Sequence, residues 1–200
     1  MIQDAMVTER RRAKVNEVVA QRQRGVIVLE DVADPHNAAA VLRTSEALGF
    51  QKVCYVFEAN EPYNPRRIGK ESSGSANKWL DFAIYRSTAA CLADLKAAGH
   101  ETIATVADGD AESILEADLA TPHIALMFGN EHRGLSETAV GMADRHLTIP
   151  LRGMVRSLNL SVAAAICLFE ITRQRCRSGP DAFRLPDDER AALAEAFLDR

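Results

Sequence analysis

No two of the four cysteines in this 200-residue chain, Cys54, Cys91, Cys167 and Cys176, fall at the short spacings of a zinc site or a disulfide framework. All four are expected to be reduced packing residues. Long apolar runs are missing as well. The longest, Leu160 to Phe169, contains Ser161 and falls well short of the roughly 20 residues that span a bilayer. The N-terminus shows no apolar block followed by a small-residue cleavage site, so neither secretion nor a membrane is expected and a cytoplasmic location follows. There is no G-x-G, which removes the dinucleotide fingerprint and the glycine-rich loop of ordinary Rossmann-type methyltransferases. Gly69 and Gly74 stand at the P-loop spacing, but Ser75 and Ala76 occupy the places where Lys and Ser or Thr must reach phosphate and magnesium. With neither a G-x-S-x-G elbow nor an H-E-x-x-H pair, standard hydrolase, zinc and kinase chemistries have no support.

What is present is ordinary in bulk: 47% hydrophobic and 26% charged residues, enough for one main domain with short extensions. A net charge of −4 does not by itself call for nucleic acid. The cations are nevertheless clustered, at Arg10, Arg11, Arg12 and Lys14, at Arg66, Arg67, Lys70 and Lys78, and at Arg173, Arg175 and Arg177, while acid gathers after Pro186. Such clusters are most often solvated helix faces.

Runs rich in Val, Ile and aromatics predict buried strands at 26–32, 52–57, 101–107, 123–128 and 146–151, with a further strand at 79–85. Helical patterns lie between them at 36–48, at 87–98 with Ser87 as N-cap, and at 134–144, and the last core helix is expected over 157–176. Strand alternating with helix predicts an α/β fold, a mostly parallel sheet covered by helices on both faces. Residues 7–23 and 187–199 predict helical extensions, giving a basic extension over 1–24, a main domain over 25–178 and a helical tail over 179–200.

Three constellations stand out. In "DVADPHNAAAVLRTSEALGF" a strand ends near Val32 and a turn starts a helix. Asn37 reads either as that helix's cap and Arg43 as a surface arginine paired with Glu46, or both as ligand groups at the carboxyl end of a strand. An arginine fork there suits a phosphate. In "IALMFGNEHRGLSETAV" an apolar strand stops at Gly129, a sharp turn carries Asn130 and Glu131, and Gly134 opens the next helix. The glycines serve either the turn alone or close approach of a ligand to bare backbone. In "IPLRGMVRSLNLSVAAAICLFE" Ser157 is adequately explained as an N-cap, whereas Asn159, a second polar residue at the same terminus, needs a partner of its own.

Together, in order and spacing across residues 25–176, these segments resemble the three signature motifs of the SpoU (TrmH) family of RNA ribose 2′-O-methyltransferases in the SPOUT superfamily. The basic N-terminal helix, "ESSGSANKWLDF" and the helical tail are similar to the branch that methylates a guanosine of the tRNA D-loop. The resemblance implies a C-terminal deep trefoil knot and a homodimer with its sites near the subunit interface. It implies S-adenosyl-L-methionine as cofactor, with no metal. Cofactor contacts would fall on Thr105, Val106, Ala107, Gly129, Asn130, Gly134, Ile149, Leu151 and Leu158. Arg43 would act on the reacting hydroxyl, held by Asn37, with Glu131, Ser157 and Asn159 completing the site. Arginine stays protonated below about pH 12, so a grip on the neighbouring phosphate and on the developing alkoxide suits Arg43 better than a base's role, with the family's alternative, that it takes the proton itself, left open. Arg10, Arg11, Arg12, Lys14, Arg66, Arg67 and Lys70 would contact RNA phosphates. Ribosomal RNA or another tRNA position remains an alternative substrate, and a non-catalytic RNA-binding module an alternative role.

Overall fold

The computed structural model describes residues 8–68, 75–107 and 109–200. The chain runs α1 (Glu9–Ala20), β1 (Gln23–Glu30), α2 (Pro35–Ala47), β2 (Phe50–Val56), β3 (Asp81–Tyr85), α3 (Thr88–Ala97), β4 (Glu101–Thr105), β5 (Glu112–Ser113), β6 (Ile124–Phe128), α4 (Glu137–Met142), β7 (Arg145–Thr148), α5 (Leu160–Ser178) and α6 (Asp187–Asp199). The seven strands form one sheet in the order β3-β2-β1-β6-β4-β7-β5, and every ladder between them is parallel. The expected α/β architecture is therefore present, with β5 added at an edge as a two-residue strand too short to leave a periodic signal.

Side chains alternate across a strand, and β1 shows the consequence. Ile27 and Leu29 enter the apolar layer under α2 and α5, beside Leu42, Leu168 and Ile171. Val26 and Val28 enter the opposite layer, beside Leu92 and Leu95 of α3. Both faces are thus covered, which explains why β1 and β6 read as near-continuous apolar runs. Fully burying one such aliphatic side chain is worth about 1.5–3 kcal/mol.

Several boundaries differ from the sequence expectation for local reasons. The β1 ladder stops at Glu30, because Asp31 adopts φ +49, a left-handed conformation no strand continues through. The helix expected over 134–144 begins only at Glu137, where Ser136 accepts the Ala139 amide as N-cap. α5 begins at Leu160 and runs to Ser178, displaced from 157–176. The two terminal helices share a third apolar cluster, in which Val15 and Val19 of α1 meet Leu193, Phe197 and Leu198 of α6, with Trp79 against them. Cys54, Cys91 and Cys167 are buried, but Cys176 is exposed on the last turns of α5, so it is no packing residue.

Candidate active site

The strand order sets four chain segments side by side. β1, β6, β4 and β7 are consecutive neighbours and parallel, so their carboxyl ends deliver residues 31–37, 129–134, 105–107 and 149–159 to one edge of the sheet. The chain also reverses its direction of travel across the sheet between β1 and β6, the position at which open α/β sheets form ligand crevices. A cavity of about 430 Å³ lies beside that position, over the carboxyl ends of β6, β4 and β7, within the size range of small-molecule sites.

All nine residues expected to contact a cofactor line this one cavity: Thr105, Val106, Ala107, Gly129, Asn130, Gly134, Ile149, Leu151 and Leu158. Leu147, Leu160, Ala163 and Cys167 extend its apolar wall, and Arg133 and Arg156 give it a cationic side, with His132 beside them. Ala163 and Cys167 stand one turn apart on α5, and in the sequence they are indistinguishable from core residues. Gly129 is fixed by contact, since a Cβ there would lie 2.2 Å from the backbone of Gly134 and Leu135. Gly134 does not open a helix. It takes φ +70 and exchanges two backbone hydrogen bonds with Asn130, of 3.0 and 2.8 Å, closing a tight loop after β6. Asn130 is 8% exposed, and its amide donates to the Asp31 carbonyl while its Oδ1 accepts the His132 and Arg133 amides.

Three of the candidate catalytic residues form a chain of hydrogen bonds. Asn159 donates from Nδ2 to Asn37 Oδ1 at 3.1 Å, and Asn37 donates from Nδ2 to Glu131 Oε1 at 3.1 Å. The carboxylate only accepts, so it dictates which way the Asn37 amide faces, and Asn37 in turn presents its oxygen to Asn159. Glu131 also accepts the Ala33 and Asp34 amides at 3.0 and 3.2 Å. Burial alone would raise its pKa, but the hydrogen bonds from Ala33, Asn37 and Asp34 outweigh it and hold the carboxyl below its ordinary value. The cap assignments change accordingly. Asp34, not Asn37, caps α2, accepting the His36 amide ahead of Pro35. Asn159, not Ser157, caps α5, its Oδ1 accepting the Ser161 amide at 2.9 Å. The second partner that the sequence demanded for Asn159 is Asn37.

Arg43 is exposed on α2 and outside the cavity lining, and among the described residues no carboxylate pairs with it. The pairing with Glu46 does not form, because Glu46 lies 2.8 Å from Arg22, whose guanidinium is 1% exposed. Ser157 is exposed and lines the cavity, while Asn37 and Asn159 stand outside its lining. Of the basic residues, Arg10 and Arg12 are exposed on α1. Arg11 donates to the carbonyls of Phe197 and Leu198, at 3.5 and 3.1 Å, and Lys14 pairs with Glu17 at 3.0 Å. Arg66 lies over the Phe82 ring at 5.3 Å and Arg67 is exposed. Lys70 lies outside the described residues.

Comparison with known proteins adds an independent line. The family model described as the SpoU rRNA Methylase family matches residues 24–169. The tRNA (guanosine(18)-2′-O)-methyltransferase of Thermus thermophilus is 39% identical over 175 residues, covering 86% of this chain and 87% of that protein. The crystal structure of the Aquifex aeolicus TrmH/SpoU tRNA modifying enzyme superposes with a TM-score of 0.85 at 27% identity, over 96% of each chain. The SpoU methyltransferase AviRb of Streptomyces viridochromogenes, solved in complex with the cofactor AdoMet, gives 0.68 at 25% identity, over 80% of this chain and 61% of that one.

Proposed function

The chain belongs to the SpoU rRNA methylase family, and from that premise we propose that it is an S-adenosylmethionine-dependent methyltransferase acting on the ribose 2′-hydroxyl of a guanosine in the tRNA D-loop. The observation that carries the reading is the cavity at the carboxyl ends of β4, β6 and β7, lined by motif loops that include Glu131, from which hydrogen bonds lead through Asn37 to Asn159. The relative from Thermus, named for methylation of guanosine 18 of tRNA, supplies the substrate class. AviRb, solved with AdoMet, supplies the cofactor.

The residues present fit that cofactor. Leu147, Ile149, Leu151 and Leu158 offer an apolar wall for an adenine ring, and Gly129 keeps side-chain bulk off the loop that would approach the cofactor's main body. When bound, the sulfonium supplies an activated methyl group. The protein must then orient a ribose hydroxyl and manage its proton, and positioning alone can supply much of the rate. Glu131 is poorly suited as the base, because three N–H donors already occupy a carboxylate that they make more acidic. It acts as a clamp, drawing residues 33–37 onto the loop after β6. Arg43, exposed and without a carboxylate partner among the described residues, is free to grip an RNA phosphate and the developing alkoxide. Ser157, at the cavity wall, contacts the ribose.

Assembly follows from the surface of α5. Val162, Ile166 and Phe169, 48%, 38% and 59% exposed, fall at i, i+4 and i+7 on this helix and form one apolar stripe, with Met154 and Val155 exposed just before it. A stripe of this kind supports a homodimer with α5 in the interface. The deep trefoil knot belongs to the same reading as a family property. No helix among the described residues is long and apolar enough to cross a membrane, and a tRNA substrate supports a cytoplasmic location. Division into an extension (1–24), a methyltransferase domain (25–178) and a tail (179–200) also belongs to the proposal, with Arg10 and Arg12 carrying RNA contacts more directly than Arg11 and Lys14, whose charges are already engaged. The test is transfer of labelled methyl from S-adenosylmethionine to unmodified tRNA, with digestion to nucleosides. The expected product is 2′-O-methylguanosine, absent with Arg43→Ala. A base-methylated nucleoside, or no transfer to tRNA, would contradict the reading.

A further inference from the structure

Asp31 takes φ +49, one of two non-glycine residues with positive φ among those described, and it does so 8% exposed at the end of a core strand. A glycine would adopt this conformation freely, so a side chain retained here must be doing something a bare turn does not. Its carboxylate accepts three successive backbone amides, those of Glu58, Ala59 and Asn60, at 3.0–3.1 Å. Its carbonyl, swung out of the ladder by the left-handed turn, accepts two side-chain amides, Asn60 Nδ2 at 2.6 Å and Asn130 Nδ2 at 2.8 Å. Asn130 is the residue that holds the loop after β6, through the His132, Arg133 and Gly134 backbone. The Asp31 carboxylate also lies 3.9 Å from the Arg133 guanidinium, so one buried residue anchors the segment after β2 by its side chain, and the cavity loop by its main chain and by this long ion pair.

We propose that Asp31 is a positioning residue for cofactor binding, acting through Asn130 to set the loop of residues 129–134 against the cavity. This rests on the reading that the cavity holds S-adenosylmethionine. The carboxylate locks the turn, the turn aims the carbonyl, and the carbonyl seats Asn130. Among the described residues the Asn130 amide nitrogen has no other hydrogen-bond partner, so a shift in the Asp31 carbonyl is passed directly to the loop.

The experiment is calorimetric titration of the full chain with S-adenosylmethionine, alongside melting temperature and binding of unmodified tRNA without cofactor. Asp31→Ala should weaken the cofactor by about tenfold while tRNA affinity stays within about twofold. Asp31→Asn tolerates the left-handed conformation and keeps one acceptor oxygen, so it should recover most of that loss. Asn130→Ala, which also removes the acceptor of the His132 and Arg133 amides, should weaken the cofactor at least as much as Asp31→Ala, and the double variant should be little worse than Asn130→Ala alone, because the loss at Asp31 acts chiefly through Asn130. An unchanged cofactor affinity, equal losses for cofactor and tRNA, or additive losses in the double variant would overturn the proposal. Should Asp31→Ala fail to fold, Asp31→Asn against Asn130→Ala and their double variant carries the same comparison. If the wild-type chain bound no S-adenosylmethionine, the functional reading itself would fall, an outcome separate from any difference between variants.

Discussion

Gly129 and Glu131 show how much of the site is decided by single residues. A methyl group added at Gly129 would stand only 2.2 Å from the Gly134 backbone, so Gly129→Ala must push the cavity loop aside. The expected result is loss of S-adenosylmethionine binding by more than about tenfold, with a secondary-structure spectrum like that of the wild type; retained affinity would show that the loop has another way to fit. Glu131 makes a pH-dependent prediction. Its folded pKa is depressed, so the stability it contributes is fully present above the unfolded value of about 4.3 and is lost as pH falls through the lower folded value. Urea denaturation should therefore show a constant deficit for Glu131→Gln from neutral pH down to about 5, shrinking in more acid solution. Both residues were legible in the sequence as a turn with bare backbone beside a carboxylate. The direction in which Glu131 works was not, because its donors, Ala33, Asp34 and Asn37, lie far away along the chain.

Among the elements, α5 carries the most information, and its entry is where sequence reasoning chose the wrong cap. Ser157 and Asn159 are both good capping residues, and only the trajectory of the chain, which keeps Ser157 in the loop and starts the helix at Leu160, separates them. The distinction is measurable. Asn159→Ala should lower stability by about 1 kcal/mol through loss of the cap, and free Asn37 from one of its two side-chain partners. Ser157→Ala should change stability by less than about 0.5 kcal/mol, while reducing turnover if the ribose contact proposed for it is made. Equal stability losses in the two variants would contradict this account of the helix start. α2 is a parallel case. Asp34 and Pro35 together make a strong N-terminal signal, and they release Asn37 from capping to face α5. The pattern that revealed each helix was its apolar periodicity, which says where the core lies and little about which of several polar residues begins the first turn.

At the scale of the whole molecule, alternation of strand and helix announced a parallel sheet, but the order β1-β6-β4-β7 could not be read from periodicity. That order brings residues from distant parts of the chain to one edge. The strand order was not anticipated; only the meeting of the three motifs at one site was, through their resemblance to a family. The exposed stripe on α5 was equally hidden, since Val162, Ile166 and Phe169 look like core in a sequence. If it is an interface, the wild-type chain should sediment as a dimer at micromolar concentration and Phe169→Glu should shift it to monomer; a monomeric wild type would remove the dimer from the account. The central claim is that the acceptor is one ribose hydroxyl in the tRNA D-loop, and replacing a single atom tests it. Two tRNAs would be compared as acceptors of labelled methyl, one with guanosine and one with 2′-deoxyguanosine at position 18, the position named for the Thermus relative. The account predicts that the deoxy substitution abolishes transfer while tRNA binding persists. Undiminished transfer to the deoxy tRNA would contradict it.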